Sequence, residues 1–439
     1  MSARFCYLLL IIVTPVSAIP QIQHWQTTMG ARVYFVEAHE LPMVDIQVSF
    51  DAGSARDPLQ KKGLSAMTSS LLAQGAAALD ADELSYEFER LGANYGAHTD
   101  YDTTSVSLRS LVDKNKLGNA IANLRKVMSE PDFPVLAIER QRKRFLTGIQ
   151  QKQQSPGAMA SETFFAAIYG DHPYAYPPGG TVESITAISR SDISAFHRQY
   201  YVASNAVIAI VGDLDRTQAE ALAEALTQSL QKGEKAQSLP AVPVLKGPAE
   251  IRSSHPSTQT HILLGQPGMK RGDPDYFPLY VGNHILGGSG LVSLLFKEIR
   301  EKRGLSYGAY SYFSPMRENG PFLAGLSTRA DQAEEALQVL RENIRAFVEN
   351  GPSRSELDAA KKNITGGFPL RIDSNSNLLG YAAVIGFYDL PLDYLDTFNA
   401  NINAVTAKEI KEALGRRIDL DKLVTVMVGP DSAANKEAD

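Results

Sequence analysis

Hydrophobic and polar positions along the chain fall into two successive blocks of the same kind. The first opens with Ala31-Arg-Val-Tyr-Phe-Val36 and Met43-Val-Asp-Ile-Gln-Val-Ser-Phe50, whose alternation predicts strands with one face in a core. A helix is expected within residues 62–75, then a second over Glu83–Leu91 with Asp80 or Asp82 as its cap. Tyr95-Gly-Ala-His and Thr104-Ser-Val-Ser-Leu-Arg-Ser-Leu111 read as strands, and Leu117–Met128 and Val135–Gln150 as helices. The block closes on the apolar run Ala206-Val-Ile-Ala-Ile-Val-Gly-Asp213, a buried strand, and on a helix over Arg216–Leu230.

The second block repeats that order. His261-Ile-Leu-Leu-Gly-Gln stands for the early strand and Val281–Arg300 for the helices after it. Tyr307-Gly-Ala-Tyr echoes Tyr95-Gly-Ala-His, and Phe322-Leu-Ala-Gly-Leu-Ser echoes the strand around Val106. Helices over Ala330–Asn350 and Ser353–Ile364 follow, and Leu423-Val-Thr-Val-Met-Val-Gly429 closes the block. Repeats of this size are domains rather than solenoid units. Adjacent strands followed by runs of helix predict the α+β class, with a sheet and packed helices in each half. The expected division is a first domain over 19–231, a polar, proline-containing linker over 232–246, a second domain over 247–434 and a tail at 435–439.

Composition narrows the picture. With 44% hydrophobic and 21% charged residues and a net charge of −6, the 439-residue chain is an ordinary globular protein and not a nucleic-acid binder. Its one basic cluster, Arg140-Gln-Arg-Lys-Arg144, reads as a solvated helix face. Residues 1–18 resemble an export signal: Arg4, an apolar run from Phe5 to Val13, and small residues at Val16-Ser-Ala18. The only cysteine, Cys6, lies inside that run, so cleavage after Ala18 leaves no thiol chemistry. No later run is long enough for stable membrane insertion.

The densest chemistry lies at 294–310, Leu-Leu-Phe-Lys-Glu-Ile-Arg-Glu-Lys-Arg-Gly-Leu-Ser-Tyr-Gly-Ala-Tyr. Leu291, Leu294, Leu295 and Ile299 fall near one helical face, Gly304 suits the C-terminus, and Tyr307 begins an alternating strand. Arg300 and Tyr307, seven residues apart, would bring a guanidinium and a phenol together, both donors able to grip a peptide carbonyl or carboxylate. Spacing alone leaves open a salt-bridged surface arginine and a packed tyrosine.

Leu-Phe-Lys-Glu-Ile-Arg-Glu-Lys-Arg-Gly-Leu-Ser-Tyr resembles the second-half signature of the pitrilysin/insulinase-like zinc peptidases, the inverzincins, whose metal motif is H-x-x-E-H. The resemblance spans nearly all of both halves. It implies two similar α+β domains around a cavity, a half-clamshell of the mitochondrial-processing-peptidase and insulinase type. It also implies that Arg300 and Tyr307 are the family's substrate-binding pair, with Arg303 as the rival arginine, and that the loop at Gly288 and Ser289 touches peptide. The metal motif departs from the pattern. Lys62-Gly-Leu-Ser-Ala-Met-Thr-Ser-Ser-Leu-Leu-Ala-Gln-Gly75 resembles the segment that should carry it, but the first His falls on Ala66, the Glu on Ser69 and the second His on Ser70. The third ligand, a Glu farther on, falls on Gly148. None of these side chains replaces an imidazole or carboxylate on zinc, so no metal is expected in this chain. A nucleophilic role for the serines would need a partner base and an oxyanion hole, and no G-x-S-x-G elbow occurs.

The expected function is therefore that of an accessory subunit. This chain would supply Arg300 and Tyr307 and hold peptide, and a homologous partner with an intact H-x-x-E-H would supply zinc. The alternative is an inert peptide-binding or structural scaffold on the same fold. The expected location is the periplasm, with an extracellular one as the alternative.

Overall fold

The computed structural model describes residues 21–430. The export-signal reading of 1–18 and the tail at 435–439 lie outside the described residues.

Each half builds one large sheet, and the first adds a two-stranded one of Gly75–Ala76 and Leu79–Asp80. In the first, β1 (Gln23–Gln26), β2 (Arg32–Glu37), β3 (Met43–Phe50), β4 (Asn94–Thr99), β5 (Thr104–Leu111) and β6 (Ala206–Gly212) lie in the order β1-β2-β6-β3-β5-β4. In the second, β7 (Ala249–Ser254), β8 (Gln259–Pro267), β9 (Ala309–Phe313), β10 (Pro321–Arg329) and β11 (Val424–Gly429) lie in the order β9-β10-β8-β11-β7. The five strands of the second sheet reproduce the order and sense of β2, β6, β3, β5 and β4. The one parallel pair in each large sheet is β2 with β6 and β7 with β11. The repeat read from the hydrophobic pattern is a structural repeat, and Tyr95-Gly-Ala and Tyr307-Gly-Ala sit at equivalent edges.

Local chemistry sets the helix ends. Asp80 caps the helix Ala81–Glu89 by accepting from the Asp82 and Glu83 amides, while Glu83 reaches back to the Asp80 amide, a reciprocal capping box. The helices Lys114–Ser129 and Val135–Gln153 run as the periodicity predicts, each extended by a few residues.

The halves exchange helices. Pro156–Tyr169, from the first half, packs on β8 and β11 of the second sheet. Asn375–Phe387, from the second half, packs on β2, β3 and β6 of the first. This explains why β6 is buried at every residue. Ile208 and Ile210 join the core of their own half, while Val207, Ala209 and Val211 meet the core of the other. On β11, Val424, Val426 and Val428 likewise pack with Phe164 and Tyr169 of the exchanged helix.

The segment 231–247 carries no helix or strand, yet it is laid down along the junction rather than hanging as a spacer. Leu239 is buried among Phe164, Tyr174 and Leu263. His172 Nε2–H donates to the Pro240 carbonyl at 2.9 Å, and Arg56 holds the Gln237 carbonyl at 2.5 Å. At the centre of the junction the buried Asp102 carboxylate accepts from Tyr174 Oη of its own half and, from the other half, from Tyr388 Oη at 2.9 Å and the Arg317 amide at 2.8 Å.

Candidate functional site

The donor pair is set on an irregular segment. Sequence periodicity predicts one helix over Val281–Arg300, but the helix Tyr276–Asn283 passes into a π-turn at His284–Gly288 and breaks near Ser289. Gly290 adopts φ +63°, a short turn covers Gly290–Val292, and helix resumes at Leu294 to end in a second π-turn, Lys297–Glu301. The break turns Leu291, predicted to face the core, out to solvent at 66% exposure, whereas Leu295 and Ile299 are fully buried. Gly304 closes the segment at φ +64°; its amide donates to the Arg300 carbonyl at 2.9 Å and the next amide to Ile299 at 3.0 Å. Only glycine takes that backbone conformation readily. Ser306 Oγ then donates to the Ser327 carbonyl at 2.7 Å, which pins the loop to β10 and leaves Tyr307 standing outward just ahead of β9.

Tyr307 is 84% exposed and lines a cleft of about 580 Å³ with Phe296, His261, Gly290, Leu291 and Tyr310. Arg300 lies over the Phe296 ring, 4.8 Å from its centroid, and is exposed with no ion-pair partner among the described residues. Arg303 differs. It is bound at 2.7 Å to the Glu298 carbonyl and at 3.0 Å to its carboxylate, which Lys302 also holds at 2.6 Å. Hydrogen bonds from Lys302 and then Arg303 keep the Glu298 carboxyl below its usual range. Of the two arginines, Arg300 is the one beside the cleft with its guanidinium uncommitted. Gly288 and Ser289 do not line this cleft themselves; the next two residues, Gly290 and Leu291, do. His261 was not singled out by the sequence; burial, and secondarily His255, lower its pKa, so it enters this wall as a neutral ring.

Of the positions matching the metal motif, Ser70 and Gly148 meet at one cleft. Asp57, buried, accepts from the Gly63 amide at 2.7 Å and the Ser65 amide at 2.8 Å, and so starts the helix Leu64–Leu71 that carries Ala66, Ser69 and Ser70. Burial raises the Asp57 carboxyl to about 7, opposed by those backbone donors. Ser70 Oγ donates to the Met67 carbonyl at 2.8 Å, and Ser69 is buried. Ser70 and Gly148 line one cleft of about 450 Å³ between this helix and Val135–Gln153. Zinc needs imidazole, thiolate or carboxylate donors. The cleft offers a hydroxyl, the amides of Gln74 and Gln141, and the cations Arg144 and Lys152. These residues do not fit the family's zinc. Among the described residues no three His, Cys, Asp or Glu side chains converge in a way that would hold a metal.

Comparison with known proteins agrees with this fold. Residues 32–181 match the model described as insulinase (peptidase family M16), and residues 187–364 match the peptidase M16 inactive domain. The crystal structure of a peptidase M16 inactive domain from Pseudomonas fluorescens is 38% identical, with a TM-score of 0.91 over 93% of this chain and 98% of that one. A Helicobacter pylori protein called a non-peptidase homolog is 26% identical over 93% of this chain and 92% of its own length. A Bacillus subtilis protein called an uncharacterized zinc protease is 23% identical over 93% and 98%. The chain belongs to the peptidase M16, or insulinase, family. No helix among the described residues is long and apolar enough to cross a membrane.

Proposed function

We propose that this chain is the accessory, peptide-holding subunit of a zinc peptidase formed with a homologous partner that carries an intact H-x-x-E-H, and that it acts after export to the periplasm. The observation that carries the reading is the contrast between the two sites. The cleft at the metal positions has no zinc ligand, while Tyr307 stands exposed in an open cleft and Arg300, exposed over the Phe296 ring of that cleft's wall, has no ion-pair partner among the described residues. In the complex, Arg300 would hold a peptide carbonyl or carboxylate before the chemistry. The Tyr307 phenol would donate to the oxygen that gains charge as the partner's activated water attacks. The zinc, in the partner, supplies that water; this chain binds and orients.

A second reading, an inert peptide-binding scaffold, is favoured by the Helicobacter pylori relative, called a non-peptidase homolog. Two measurements test the proposal, and the second separates the readings. Purified alone, the chain should hold no stoichiometric zinc by elemental analysis and cleave no peptide. Co-expressed with a homologue bearing the motif, it should co-elute in sizing chromatography and raise peptidase activity. Separate elution at micromolar concentration with substrate present, or one tightly held zinc per chain, would defeat the proposal.

A further inference from the structure

The cleft at the metal positions has a chemistry of its own. One of its walls is a single face of the helix Val135–Gln153, where Gln141, Arg144, Phe145, Gly148, Ile149 and Lys152 recur at helical spacing. No acidic side chain lines it. Arg144 is exposed and has no ion-pair partner among the described residues. Lys152 is 3.5 Å from Glu162, and neighbouring Arg140 donates at 2.7 Å to Gln74 on the opposite wall. The basic cluster expected to be a solvated face thus turns partly into the cleft. Gln141 is only 4% exposed and lines the cleft. At Gly148 an added side chain would meet nothing within 4 Å, so the floor is open.

We propose that this cleft binds a peptide carboxylate: where the family holds a dication, this chain holds an anion. The guanidinium of Arg144 and the amide N–H groups of Gln141 would donate to the carboxylate oxygens, Lys152 would add charge, and Phe145 and Ile149 would carry the apolar part of the residue. That apolar floor favours a peptide over inorganic phosphate. The carboxylate is either an acidic side chain or a chain terminus. The proposal is independent of the Arg300–Tyr307 reading and concerns this chain alone.

The test is fluorescence anisotropy with the full chain and three labelled nine-residue peptides. One has internal glutamates and an amidated end, one has no acid but a free C-terminus, and one is neutral and amidated. One of the first two should bind about tenfold or more tighter than the third, and increasingly so at low salt. Arg144→Gln and Gln141→Leu should each weaken that peptide by about tenfold. Gly148→Glu, which places a carboxylate in the open floor, should abolish binding, while Gly148→Gln retains it and controls for bulk. Arg300→Ala is measured in parallel: any loss it causes belongs to the Tyr307 cleft, and only losses in Arg144→Gln, Gln141→Leu and Gly148→Glu count for this one, so failure here is distinct from failure of the donor pair. Equal affinity for all three peptides would overturn the proposal. So would full binding by Gly148→Glu, or displacement by inorganic phosphate with neither carboxylate peptide bound.

Discussion

At the scale of single residues, what separates a functional side chain from a structural one is whether its polar atoms are already used. Arg300 and Arg303 are three apart on one segment, and spacing leaves both eligible. Glu298 decides between them by taking Arg303. No sequence rule shows that, because it depends on the π-turn at Lys297–Glu301 that sets the two arginines on different bearings. His197 illustrates the opposite case. Its Nε2–H donates to the Met128 carbonyl at 2.8 Å, its ring stacks on Tyr201, and burial lowers its pKa to about 4. An imidazole depressed from its ordinary value near 6.5 takes up a proton more readily when unfolded, so folding stability rises with pH through this window. The contribution is present above about pH 6.5 and is lost as pH falls toward 4. His197→Phe should flatten this part of the profile, read as the difference in melting temperature between variant and parent from pH 7.5 to 4.5. A parent-like slope in the variant would assign the pH dependence to another group.

At the scale of elements, most of the fold was legible in the sequence. The strands of both sheets other than β1 and β7, their repeated order, and helices such as Lys114–Ser129 and Val135–Gln153 follow from alternation and periodicity. The helices that escaped that reading include Pro156–Tyr169 and Asn375–Phe387, the pair exchanged between halves. Each is apolar around much of its circumference because it is covered on more than one side, so no period stands out in Asn-Ser-Asn-Leu-Leu-Gly-Tyr-Ala-Ala-Val-Ile-Gly-Phe. Gly386 is the point of closest approach in the second of them. An added Cβ would sit 2.5 Å from the Tyr34 ring and 2.7 Å from Val207. Gly386→Ala would ordinarily gain about 1 kcal/mol in helix propensity. Here it should lose about 1–3 kcal/mol net, as overpacked cores do. Urea unfolding measures this, and a stabilised variant would mean that the helix does not dock on the first sheet. The clefts were legible only as residue types: sequence put Ser70 and Gly148 at metal positions, but not Arg144 or Gln141 beside them, because the pairing of two helices decides that.

At the scale of the whole molecule, the halves are joined through three buried clusters, one of them at the junction. The chain passes from the first sheet to the second through 231–247, a segment without helix or strand, but each half's helix packs on the other half's sheet. Each half alone would expose the sheet face that the other half's helix covers, at about 1.5–3 kcal/mol for each large side chain uncovered. Asp102 ties the two together. Asp102→Ala would strand two phenols and an amide, each worth about 1–3 kcal/mol when left buried and unpaired. It should lower stability by about 3 kcal/mol or more and speed hydrogen exchange at both Tyr174 and Tyr388. Exchange rising in one half only would show that the carboxylate serves that half and not the junction.

The junction ties the half that carries the Tyr307 cleft to the first half, as the proposed peptide-presenting role would require. The measurement that tests the account most directly is the kinetics of the reconstituted pair with single variants of this chain. Tyr307→Phe should cost about 2.7–4 kcal/mol, a hundred- to thousand-fold in turnover, if the phenol donates to developing charge. Arg300→Ala should act mainly by raising KM, and Arg303→Ala should do much less, since its guanidinium is held by Glu298. Unchanged turnover and KM in both Tyr307→Phe and Arg300→Ala would contradict the account and leave the inert scaffold in its place.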